Sequence, residues 1–195
     1  MKKLILVLSL ITIFSTSYAE NTDGAESTEG MATIVFMRSS FVGAAIKTSI
    51  YEVTNGETIF IGIMKNKTKI NHETPAGKHT FMVVSEAADF MDANVEAGKT
   101  YYSMLTPRTG AWKARFSMIP IRNDGTTEFN TDSKKFEKWK NKTKVVSMNE
   151  KSEAWYQEHK ESVESKRLKY WEKWTQKSAE DVAKRTLNAS DGIQK

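Results

Sequence analysis

His72 and His79, two of only three histidines in the chain, flank the turn-forming Pro75-Ala76-Gly77. If residues 74–77 form a four-residue loop, the two imidazoles become cross-strand neighbours with Cβ atoms about 5 Å apart, close enough to share Cu²⁺ or Zn²⁺. A slip of one residue would put them on opposite faces of the sheet. The chain has no cysteine, and no third ligand is evident near them. Metal binding or hydrolysis through the His72/His79 region is therefore an alternative reading, and the expectation is no metal and no cofactor.

Gly98-Lys99-Thr100 ends like a phosphate-cradling loop, but such a loop needs glycine at both ends of GxxxxGK[ST] and a helix behind it. Position 93 is Ala, and Tyr101-Tyr102-Ser103-Met104-Leu105 reads as a strand. The same Ala-Gly-Lys recurs at residues 76–78. Two similar turns, each with a glycine at a chain reversal and a lysine opening the next strand, account for both copies without a nucleotide. No GxSxG or HExxH pattern occurs. Glu86, Asp89 and Asp92 are close in sequence and read as exposed loop acids, because no neighbour supplies the contrast in environment that an acid/base pair requires. No catalytic residue is expected.

The elements that must carry these residues are short. β-branched and aromatic runs at 32–38, 45–53, 57–64, 69–73, 78–85, 90–95, 100–106 and 113–121 are separated by turn residues. Thr54-Asn55-Gly56 is a hairpin turn, since Asn and Gly accept positive φ. At residues 113–118 Ala114, Phe116 and Met118 alternate with Lys113, Arg115 and Ser117, which makes one face dry. The fold expected is mainly β, an antiparallel β-sandwich of seven or eight short strands over residues 31–121, followed by a C-terminal α-helical tail. Residues 122–133 read as a linker, and 134–195 as a basic amphipathic helical extension. Within it Trp155, His159, Val163, Tyr170, Trp171 and Trp174 fall near one stripe, expected to dock on the β-domain.

Ahead of the strands, Met1-Lys2-Lys3, an apolar run from Leu4 to Phe14 and Ser17-Tyr18-Ala19 compose a signal peptide, residues 1–19, cleaved after Ala19. The run is too short for the roughly 18 residues that span a bilayer. No cysteine follows it to carry a lipid. Residues 20–30 read as a flexible leader. The mature protein is expected to be periplasmic or secreted, soluble and not lipid-anchored, with no transmembrane segment once the signal is removed.

Charge is uneven. Residues 20–133 carry 11 Lys/Arg against 14 Asp/Glu, and residues 134–195 carry 16 against 10. Lys134, Lys135, Lys138, Lys140, Lys142 and Lys144 surround Phe136 and Trp139. That composition suits an anionic lipid surface or a polyanion, while a solvated face is the plainer explanation. Expected partners are thus an envelope protein or an anionic surface, with nucleotide and nucleic acid outside the expectation.

Arg38-Ser39-Ser40-Phe41-Val42-Gly43, Ile61-Gly62, Pro75-Ala76-Gly77-Lys78-His79 and Glu96-Ala97-Gly98-Lys99-Thr100-Tyr101-Tyr102 together resemble, in order, an uncharacterised bacterial family, number 2846 among the domains of unknown function. The resemblance covers about residues 31–121, and Trp155, Trp174, Arg185-Thr186-Leu187 and Asp191-Gly192 are similar to extensions of some members. It implies an exported or lipid-anchored envelope protein and brings no catalytic residues; the attachment cysteine of the lipid-anchored members is missing here. The expected function is that of a non-enzymatic β-sandwich module of the bacterial envelope that acts by binding or as a structural element.

Overall fold

The computed structural model describes residues 30–108 and 114–194. The expected signal peptide, residues 20–29 of the expected leader, and the connection 109–113 lie outside the described residues. All eight expected strands form: β1 (Met31–Arg38), β2 (Thr48–Glu52), β3 (Ile59–Met64), β4 (Thr68–Pro75), β5 (Gly77–Val84), β6 (Ala88–Val95), β7 (Lys99–Arg108) and β8 (Arg115–Pro120). The remainder supplies α1 (Lys134–Lys142), β9 (Lys144–Val145), α2 (Glu150–Thr175), α3 (Ala179–Ala183), β10 (Thr186–Leu187) and β11 (Ile193–Gln194).

Two sheets result. One runs β11-β7-β1-β4-β9, with β8 also on β7, and the other runs β10-β6-β5-β2-β3. The expectation of a purely antiparallel sandwich of seven or eight strands is corrected on two counts. The sheets are mixed, because β1 pairs with β7, β4 with β9 and β6 with β10 in parallel. The strands number eleven among the described residues, because residues 134–195 contribute three two-residue strands to the sheet edges.

The cause of the parallel pairing lies at two glycine corners. Gly77 (φ 137°) carries the chain from β4 in the first sheet to β5 in the second, and Gly98 (φ 76°) carries it back from β6 to β7. Both corners are tied to the start of β1, through Ala76 N–H to Gly30 O at 3.1 Å and Gly98 N–H to Met31 O at 3.0 Å. Strands β4 and β7 therefore return on either side of β1, one antiparallel and the other parallel. The β2–β3 connection is the expected hairpin, with Asn55 at φ 55° and Gly56 at φ 83°.

Alternation along the strands builds four layers. Ile34 and Phe36 of β1 join Ile50, Phe81, Met91, Leu105 and Phe116 between the sheets. Val35 and Met37, on the other face of β1, meet Phe136 of α1. On the far side Tyr51, Phe60, Met82, Val84 and Phe90 face Tyr156, Val163 and Trp174 of α2. Each sheet thus has one face on the shared core and one face under a helix. The expected stripe does dock on the β-domain: Val163 and Trp174 are buried, while Trp155, Tyr170 and Trp171 are half-buried against the same cluster. Among the described residues no helix is long and apolar enough to cross a membrane.

Candidate functional site

Ile50 and Glu52 share the inner face of β2, so the strand that sends Ile50 into the core sends a carboxylate to the end of the inter-sheet layer. There Glu52 meets both candidate histidines. Its Oε2 lies 3.3 Å from His72 Nε2 and its Oε1 lies 2.7 Å from His79 Nδ1. Thr54 Oγ1 donates to Oε1 at 2.9 Å. Phe81 closes the cluster from the core side, edge-on to His72 and stacked beneath His79. The two imidazoles therefore converge as the spacing predicts, but by a different route. His72 is on β4 of the first sheet and His79 on β5 of the second, so they face each other across the sandwich and not across a hairpin.

The chemistry follows from the partners. Burial pushes the Glu52 carboxyl up, and hydrogen bonds from His72, His79 and Thr54 more than reverse this, holding it well below the usual carboxylate range. His79 also has Nε2 at 2.9 Å from Pro75 O, so both of its ring nitrogens face acceptors. Both nitrogens of His79 are thus occupied by hydrogen-bond partners within the protein. Among the described residues no three His, Asp or Glu side chains are grouped as a metal site. The arrangement joins β4 to β2 and β5 electrostatically.

The three acids at 86, 89 and 92 are not loop residues as a group. Only Glu86 is exposed, accepting from Ala114 N–H at 2.6 Å. Asp89 is buried on β6 and paired with Arg185 at 2.8 Å. Asp92 is half-buried, accepts from Thr80 Oγ1 at 2.8 Å, and is pushed upward by burial against the effect of that bond. Gly98-Lys99-Thr100 is a corner leading into β7, and Lys99 is paired with Glu96 and reaches Ala189 O at 3.3 Å.

The lysine segment folds as α1, capped by Ser133 Oγ accepting from Phe136 N–H. Phe136 is buried under the helix and Trp139 is half-buried, stacked on Phe129 with centroids 5.6 Å apart. Both aromatics thus face the protein. Lys135 is paired with Glu128 and Lys140 with Glu137, which leaves Lys134, Lys138, Lys142 and Lys144 exposed without an ion pair among the described residues.

Several groups escaped sequence reasoning. Arg38 is fully buried with no carboxylate paired to it among the described residues; it donates to Gly43 O at 2.6 Å, lies 4.3 Å over the Phe116 ring, and burial lowers its pKa. Arg122 is clamped to Asp191 at 2.5 Å and to Thr186 O at 2.6 Å. An arginine closing the apolar run 32–38 was the available signal for the first; nothing local marks the second.

Beside His79 an open groove of about 650 Å³ runs between the 54–56 turn, Lys78, Thr80, Asp92 and the α2 residues Arg167 and Trp171. Compared with known proteins, the chain matches no family model, no curated sequence and no solved structure.

Proposed function

We propose that the protein is exported and serves the bacterial envelope as a non-enzymatic binding module, in keeping with the resemblance of its motif order to that of the envelope family. The observation that carries this reading is the state of Glu52, His72 and His79. The groups best suited to catalysis are engaged with one another and with Thr54 in holding the two sheets together. Their carboxylate is held far too acidic to act as a base near neutral pH. Charged and aromatic side chains instead line open grooves around α2, as a recognition surface requires. Expression in a bacterium with fractionation and N-terminal sequencing tests export. The expected result is a chain beginning at Glu20 in the periplasm or medium; an unprocessed chain in the cytoplasm overturns it.

A second reading, association with anionic lipid through α1, is favoured by the exposure of Lys134, Lys138, Lys142 and Lys144. Because Phe136 and Trp139 are packed inward, this association would be electrostatic and screened by salt over about 8 Å at physiological strength. Co-sedimentation with phosphatidylglycerol vesicles that is lost on replacing Lys138 and Lys142 by Gln supports it. Equal sedimentation of both proteins overturns it.

A further inference from the structure

Where β6 approaches the β7–β8 pair beneath the C-terminal half of α2, a cleft of about 310 Å³ gathers five cationic side chains: Arg108, Arg115, Lys169, Lys173 and Lys177. Their placement is costly. Arg108 and Arg115 are directly opposed partners in the β7–β8 ladder, and like charges in that position repel. Lys169, Lys173 and Lys177 recur every fourth residue along α2 and the turn that follows it, where like charges again disfavour the helix.

Compensation within the protein is slight. The single carboxylate in the cleft, Asp89, is already bound by Arg185 at 2.8 Å and lies 3.8 Å from Arg108. Arg115, Lys169 and Lys177 have no ion pair among the described residues, and Lys173 lies 5.7 Å over the Tyr170 ring. Arg108 Nε is buried with no hydrogen-bond acceptor among the described residues. A buried donor left without an acceptor costs free energy. Ala88, Phe90 and Trp174 also line the cleft, and apolar neighbours screen charge less than open water does.

We propose that this cleft binds a multivalent oxyanion, namely a phosphate group, either free or as the monoester of a small molecule or lipid headgroup. Guanidinium groups on one wall offer the planar fork that matches two phosphate oxygens, and the lysines opposite add rotatable ammonium donors. The exposed rim of Lys169 and Lys173 leaves the ligand a way in. This assignment deepens the binding-module reading and rests on it for its biological meaning. Failure of export bears on that reading alone, while failure to take phosphate bears on this cleft alone.

The test uses the purified chain, inorganic pyrophosphate as a soluble probe, and vesicles of phosphatidic acid in phosphatidylcholine as a membrane probe, at fixed ionic strength. Titration calorimetry and thermal melting are compared for the native chain, for Arg115→Gln/Lys173→Gln, and for Lys138→Gln/Lys142→Gln on α1. Binding of pyrophosphate that weakens about tenfold or more in the cleft variant, with the α1 variant unchanged, supports a soluble phosphate ligand. Binding only to phosphatidic acid vesicles, lost in the same cleft variant, supports a lipid phosphate. Relief of repulsion should also leave the unliganded cleft variant at least as heat-stable as the native chain, which separates loss of binding from loss of fold. No binding of either probe by the native chain, or equal binding by native and cleft variant, overturns the proposal.

Discussion

Glu52 shows how a single carboxylate can join two sheets. Its folded pKa lies below the unfolded one, so its contribution to stability is fully present above the unfolded value of about 4.3 and is lost as pH falls toward the folded value. Glu52→Gln is expected to cost about 2 kcal/mol near pH 5, as charge-assisted hydrogen bonds are lost. In urea unfolding the gap to the native chain should narrow as pH is lowered from 4 toward 2; a gap independent of pH in that range would contradict this. At the corners, Gly77→Ala and Gly98→Ala should each lower unfolding free energy by about 1 kcal/mol, because their φ angles of 137° and 76° are strained for any residue with a Cβ. Unchanged melting of both variants would show that the corners relax. The two glycines were legible in the sequence as turn residues; the histidines were legible as a pair, but as neighbours on one hairpin and not on two facing sheets. Glu52 was not, although an acid two places after Ile50 on a strand is a charge on the core face, and that pattern could have found it.

Elements were easier to place than their partners. Every β-branched run became a strand because period-two patterning is local, whereas the sheet a strand joins depends on corners whose handedness the pattern does not encode. One clue was present: residues 32–37 are apolar or β-branched throughout without alternation, as expected of a strand buried on both faces beside a parallel neighbour. The α2 stripe was read as docking, though it lacked Tyr156, which stacks on Phe60 at 4.8 Å. Trp174, 5% exposed and packed against Phe90, tests that face. Trp174→Ala should cost about 3–5 kcal/mol in urea unfolding, whereas replacing the exposed Leu168 should change little. On α1 the sequence correctly marked a basic surface, but not that Phe136 and Trp139 would turn inward, because an amphipathic nine-residue helix can face either a protein or a membrane.

At the scale of the whole molecule, residues 134–194 are fastened to the chain before them by two largely buried ion pairs. Arg185 holds Asp89 of β6, and Arg122 holds Asp191 just before β11. With Asp191 at 3% and Arg122 at 12% side-chain exposure, Arg122→Ala strands a buried charge and should cost about 3–5 kcal/mol. Thermal melting measures this, and Arg122→Ala/Asp191→Asn should recover part of the loss. Removing residues 186–194 should uncover the edges of β6 and of the first half of β7 and promote aggregation, seen by light scattering. The parallel pairing of β1 with β7, which sets Thr33 beside Thr100, also has a consequence in time. Contacts between such distant positions form late and slow a β-rich chain to milliseconds or seconds. The edge of β6 and the start of β7 stay uncovered until residues 186–194 have been synthesised. A polypeptide built this way carries open strand edges for as long as it is being made.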